Sequence, residues 1–153
     1  MFDKFAARVS EIIFGRSKDR RLEAIDQRDA TAALLVHAIS IDGVIEPAEK
    51  RRLRRMLRAE YDLDDAAARE LIARARKLDA EAVDLYTFTS VLTRALDQKG
   101  RKHVVAMLWD MVYADGDVHE FEDNLVWRVA ELLGVSTRDR IRLKKEAARN
   151  EDD

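Results

Sequence analysis

Asp115-Gly116-Asp117-Val118-His119-Glu120-Phe121-Glu122 is echoed by Asp42-Gly43-Val44-Ile45-Glu46-Pro47-Ala48-Glu49. Each stretch has Asp-Gly, a β-branched residue two places after the glycine (Val118, Ile45) and a glutamate six places after it (Glu122, Glu49). Each follows one apolar helical run and precedes another. The two Asp-Gly pairs stand at 42 and 115, hence 73 residues apart, as duplication of one helix–corner–helix unit would leave them.

The runs on either side read as helices. Leu34, Leu35, Ala38 and Ile39 line one face of a helix that stops at Asp42-Gly43. Pro47 suits the first turn of the next, where its missing N–H is not needed, and Glu49 can reach back to the helix start. Leu53, Met56 and Leu57 then face inward and Lys50, Arg51, Arg52, Arg54, Arg55 and Arg58 outward. Leu63-Asp64-Asp65 opens a third helix carrying Leu71, Ile72, Ala75 and Leu78. Asp79 is expected to cap a fourth, with Leu85, Phe88, Leu92, Ala95 and Leu96 on its buried side.

Asp97-Gln98-Lys99-Gly100 reads as a tight polar turn that sets its flanking helices side by side and antiparallel. The next helix presents Val104, Met107, Leu108, Met111 and Val112. Beyond the second corner come Leu125, Val129, Leu132 and Leu133, with Gly134 as a helix stop. Ser136 to Asp139 has the form of a capping start leading into Ile141, Leu143 and Ala147. At the other end, Phe2, Phe5, Val9, Ile12 and Ile13 form the apolar face of an N-terminal amphipathic helix. The pattern predicts an all-α bundle of about seven helices with a quasi-duplicated helix–corner–helix unit, plus that N-terminal helix. Residues 1–20 are the helix and a basic connector, 21–149 the all-α domain and 150–153 a frayed tail.

Composition narrows the function classes. With 153 residues, 47% hydrophobic, the chain can bury one core. It has no cysteine, which excludes disulfides, thiolate metal sites and thiol catalysis. A net charge of −2, from 28 basic and 30 acidic side chains, argues against nucleic acid as partner, since phosphate binding draws on a positive balance. No apolar run is long enough to span a bilayer, and the N-terminus lacks the pattern of a secretory signal. The expected location is the cytoplasm; the N-terminal helix with Phe2 and Phe5 either packs on the main bundle or docks a partner or the surface of the inner membrane.

The corners admit two readings. Laid on a helix–loop–helix calcium loop, Gly116, Val118 and Glu122 match its sixth, eighth and twelfth places, as do Gly43, Ile45 and Glu49. The first and third places fall on Met111 and Tyr113, and on Ala38 and Ser40, so neither corner is a complete loop. In the structural reading the glycine stops one helix, the apolar residue plugs the core and the glutamate caps the next. In the other, packing of the two units converges Asp42, Glu49, Asp115, Asp117 and Glu122 on one weak site for calcium or magnesium.

The order Leu108-Trp109-Asp110, Val112-Tyr113-Ala114-Asp115-Gly116, Glu122-Asp123-Asn124-Leu125-Val126-Trp127-Arg128-Val129-Ala130 and Leu132-Leu133-Gly134-Val135-Ser136 resembles the bacterial TerB (tellurite-resistance B) family. Ile41-Asp42-Gly43 and Asp84-Leu85-Tyr86 fit the same pattern, and the likeness spans about Arg28 to Lys145. The resemblance implies a compact domain of about seven helices with a quasi-repeated hairpin. It also implies a role in metal sensing or stress response, often alongside membrane or other partners. The family's acidic positions carry over onto Asp42, Glu49, Asp115 and Glu122, while Glu46 and His119 depart from the usual Ser, Thr or Asp cap.

Of the remaining candidates, Lys50–Arg58 reads as a solvated helix face, and His37, His103 and His119 are too dispersed for a zinc signature. Trp127 lies off the face set by Leu125 and Val129, which makes it either a partner-binding aromatic or part of a second buried face. No phosphate loop, nucleophile elbow or paired-histidine metal helix is present, so a non-enzyme is expected. The expectation is a TerB-like module with a weak cation site, or alternatively an adaptor for a protein or membrane surface.

Overall fold

A computed structural model describes residues 25–41, 43, 45–113, 118 and 120–152. Seven helices fill it: α1 (Gln27–Ile39), α2 (Pro47–Tyr61), α3 (Asp65–Glu81), α4 (Tyr86–Ala95), α5 (Gln98–Val112), α6 (Glu120–Leu132) and α7 (Thr137–Asp152). No strand occurs among the described residues. The N-terminal helix expected over residues 1–20 lies outside them.

α1 is the axis of the bundle. The sequence pattern suggested one buried face, but Ala30 to Val36 are all buried, with Ala38 and Ile39. A helix that is apolar all round belongs at the centre of a fold, and α1 packs against α2, α3, α4, α5 and α6. Its alanines (Ala30, Ala32, Ala33, Ala38) let those neighbours approach closely, while Leu34 and Leu35 interlock with them. Two polar side chains are buried with it, Asp29 and Thr31.

Local chemistry sets most helix ends. Asp26 caps α1, its Oδ1 accepting from Asp29 N at 2.9 Å while Asp29 Oδ2 accepts from Asp26 N at 3.3 Å. Pro47 occupies the first turn of α2, and Glu49 Oε1 accepts from Glu46 N at 3.0 Å, as expected. Asp62, left-handed at φ 52°, ends α2, and Asp64 caps α3 by accepting from Ala67 N at 2.7 Å. Gly134 (φ 73°) ends α6, with Val135 N reaching Ala130 O at 2.9 Å, and Ser136 Oγ then accepts from Asp139 N at 3.1 Å to start α7. The Lys102 ammonium, 3.1 Å from Asp139, holds that carboxyl below the usual range, assisted by Arg142 and Ser136.

Several sequence expectations need correction. Asp79 is no cap: it lies inside α3, and Asp84 Oδ1 instead accepts from Tyr86 N at 3.0 Å where α4 begins. The Asp97–Gly100 turn is the first turn of α5, capped by Asp97 through Gly100 N at 2.9 Å. α4 and α5 are therefore not a side-by-side pair, and α4 packs on α1 and α6. Their junction is closed by Arg101, which donates to Thr93 O at 2.6 Å and Leu96 O at 3.1 Å at the C-terminal end of α4. Ala95, Leu132 and Ile141, read as core, are exposed, because no neighbouring helix covers their side of α4, α6 and α7. Conversely Val105 and Trp109 are fully buried, since α5 is enclosed by α1, α2, α6 and α7. α7 runs through Asp152, over most of the expected tail.

Candidate functional site

The duplication is legible in the helix bounds. α1 and α5 end at Ile39 and Val112, and α2 and α6 begin at Pro47 and Glu120. Both offsets equal the 73-residue spacing of the Asp-Gly pairs. The two units also pack on one another, α1 against α5 and α6 and α2 against α5.

At the first corner, Ser40 turns its hydroxyl back onto Val36 O (2.7 Å) and its amide onto the same carbonyl (3.1 Å). Gly43, at φ 85°, donates its amide to Ser40 O at 2.9 Å, a conformation that suits a residue without a β-carbon. At the second, Tyr113 N donates to Trp109 O at 3.0 Å. The corresponding plugs Ile45 and Val118 are both half-buried against the core. Of the expected acidic residues, Glu49 caps Glu46 and Glu122 is buried at 7% exposure. Asp42, Asp115 and Asp117 lie outside the described residues, as does His119. Among the described residues, no three His, Asp or Glu side chains come together to hold a metal ion.

Flanks of the two corners open onto one cleft of about 440 Å³. Ile41 comes from the first corner, Phe121, Asn124, Leu125 and Arg128 from α6, and Val83 to Leu85 from the α3–α4 connection. His37 and Asp79 complete it, the imidazole Nδ1 lying 2.8 Å from Asp79 Oδ1. In the neutral tautomer that donates Nδ1–H to this carboxylate, the opposite ring nitrogen is an acceptor facing the cleft. Sequence reading missed this pair because its members stand 42 residues apart on separate helices.

Lys144 bonds Asp123 and sits 5.2 Å from the centre of the Trp109 ring, which ties α7 across α5 and α6. Among the described residues, the indole N–H of Trp109 is a buried side-chain donor without an acceptor. His103 pairs with Glu60 at 2.9 Å on the surface. Trp127 is 43% exposed, with the Arg140 guanidinium 5.3 Å over its ring, and Phe121 is 72% exposed on the same helix. Phe2 and Phe5 lie outside the described residues. No helix among the described residues is long and apolar enough to cross a membrane.

A central apolar helix, two register-matched hairpins packed together and a cleft bordered by the flanks of both corners define a duplicated all-α fold. The chain belongs to the TerB family: the model for tellurite resistance protein TerB matches residues 28–145, the span over which the sequence motifs run. Neither the curated proteins nor the solved structures give a match.

Proposed function

We propose that this protein is a non-catalytic TerB-like module acting in a metal or tellurite stress response, and that its duplicated corners bind one divalent cation, calcium or magnesium, weakly. The observation that carries this reading is the shared cleft. Ile41, next to Asp42, and Phe121, next to Glu122, line the same opening. Two partial loops that each lack their first ligands can pool carboxylates by facing one another, with water filling the remaining positions of the coordination shell.

A site with a dissociation constant of about 1 mM, in the weak range for calcium loops, stabilises the fold by about 1.4 kcal/mol at 10 mM cation. That corresponds to a rise in Tm of roughly 3–6 °C for a chain of this size. Calcium, magnesium or manganese should each be tried in thermal unfolding, with Asp42→Asn/Asp115→Asn as the control. A rise that the double variant abolishes supports the site; no rise with any of the three removes the cation from the proposal.

The exposure of Phe121 and Trp127 on α6 favours a second reading, an adaptor that docks a protein or membrane surface without metal. Sedimentation with anionic liposomes, comparing the full chain with one lacking residues 1–16, tests the membrane form of it.

A further inference from the structure

A second concavity, sharing no residue with the cleft between the corners, runs between α2 and α3. Its floor is apolar, formed by Val36 and Ile39 of α1, Leu53 of α2 and Ile72 of α3. Its walls are cationic, with Lys50 and Arg54 on α2 and Arg69 and Arg76 on α3, and among the described residues no carboxylate lines it. Arg54 and Arg69 converge on one carboxylate at the groove's margin, Asp65, at 3.3 and 3.0 Å. Lys50 and Arg76 have no carboxylate partner among the described residues. The sequence pattern alone makes the basic run on α2 a solvated face; the structure sets part of it along an apolar trough, opposite a second basic row.

We infer that this groove binds an acidic amphipathic helical segment of a partner protein, its apolar side chains seated on the accessible Ile45, Ile72 and Ala73 and its carboxylates facing Lys50 and Arg76. Size argues against a cofactor-sized ligand: the groove holds about 210 Å³, below the roughly 300–1,000 Å³ of small-molecule sites. Charge distribution separates a peptide from a lipid. Lys50 and Arg54 lie one turn apart, about 6 Å along α2, and Arg69 and Arg76 two turns apart, about 10 Å along α3. A single-chain amphiphile carries its charge at one end and meets one of these positions. A helix with acidic residues flanking an apolar stripe meets both walls along their length, the helix-in-groove mode of recognition. Nucleic acid fits poorly, because among the described residues no aromatic ring lines the groove for a base to stack on.

The probe is a fluorescein-labelled 15-residue peptide with leucines at helical i, i+3, i+4 and i+7 spacing and glutamates on both flanks. It is titrated with the full chain and followed by anisotropy. Saturable binding is expected, weakening as salt rises. The exposed double change Lys50→Glu/Arg76→Glu should weaken it by roughly tenfold or more, since two favourable pairs become two repulsive ones. Ala73→Phe, which narrows the groove without changing charge, should weaken it as well and covers the case in which the double variant fails to fold. The inference is overturned by no binding, by equal binding of a lysine-for-glutamate peptide, or by unchanged affinity in Ala73→Phe. It is likewise overturned if octanoate or a single-stranded oligonucleotide displaces the peptide at comparable concentration. Self-association that Ala73→Phe abolishes would assign the groove to a second copy of the chain and overturn it too.

Discussion

Removing the guanidinium of Arg74 should cost more stability than its position suggests. Arg74 lies on α3 with its side chain 59% exposed, which ordinarily marks a surface ion pair worth about 0–1 kcal/mol. Its partner is different. Asp29 is 6% exposed at the first turn of α1, and Oδ1 accepts from Arg74 Nε at 3.1 Å and Nη2 at 2.9 Å. In Arg74→Ala the carboxylate stays buried and keeps the Asp26 amide and the positive end of α1, but loses both charged donors. A buried charge losing its partner costs up to about 3–5 kcal/mol. The contacts that Asp29 retains bring the expectation to about 2–3 kcal/mol, or roughly 4–12 °C in Tm. Asp29→Ala removes the buried charge along with its bond to the Asp26 amide, one half of the capping box, and should cost less, about 1–2 kcal/mol. The double variant should therefore cost less than the sum of the two, with a coupling of about 1 kcal/mol. Urea unfolding of the four species measures the cycle, and Arg54→Ala, whose partner Asp65 is 44% exposed, serves as the surface control. Arg74→Ala costing no more than Arg54→Ala, with no coupling to Asp29, would refute the argument.

Burial against the core raises the pKa of the Tyr61 phenol, opposed by its hydrogen bond with Thr31. Because the folded-state value lies above the unfolded one, the stability involved is fully present below about pH 10 and is lost as pH rises through the folded pKa. Denaturation measured from pH 9 to 11 should accordingly show a decline that Tyr61→Phe reduces; identical curves for the two proteins would disprove it. Gly134→Ala should destabilise by about 1 kcal/mol, since φ 73° suits glycine while a β-carbon would meet nothing closer than Arg101 Nη1 at 4.0 Å. Gly134→Asn should cost less in the same chemical-denaturation assay, and an equal loss for both would point to crowding rather than backbone strain.

How much was legible follows from how far apart the interacting groups are. Helix ends marked by Glu46-Pro47, Asp64 and Ser136 depend on side chains bonding amides within a few residues, and the stop at Gly134 on one residue's left-handed backbone, so short stretches alone announce them. The same local rule misled at Asp79 and at Asp97–Gly100. An aspartate in a polar stretch fits a cap, a turn or a long-range pair equally well, and only the packing of α1 on α3 brings His37 to Asp79. Asp29 carried a local signal that was passed over: Asp26 and Asp29 stand three apart at a helix start, the spacing of a capping box. Nothing local announced Arg74, which is 45 residues away.

By itself the sequence determined the helical class, the family and the duplication, because 3.6-residue periodicity, capping residues and two Asp-Gly corners are all properties of short stretches of chain. Tertiary structure alone decided which apolar faces are covered, leaving Leu132 and Ile141 exposed and burying Trp109. It also decided that the flanks of both corners line one cleft and that two basic rows border one apolar groove. Those are relations between helices, set by how α2, α3 and α6 pack around α1, and no periodicity within a single helix encodes its neighbour's position.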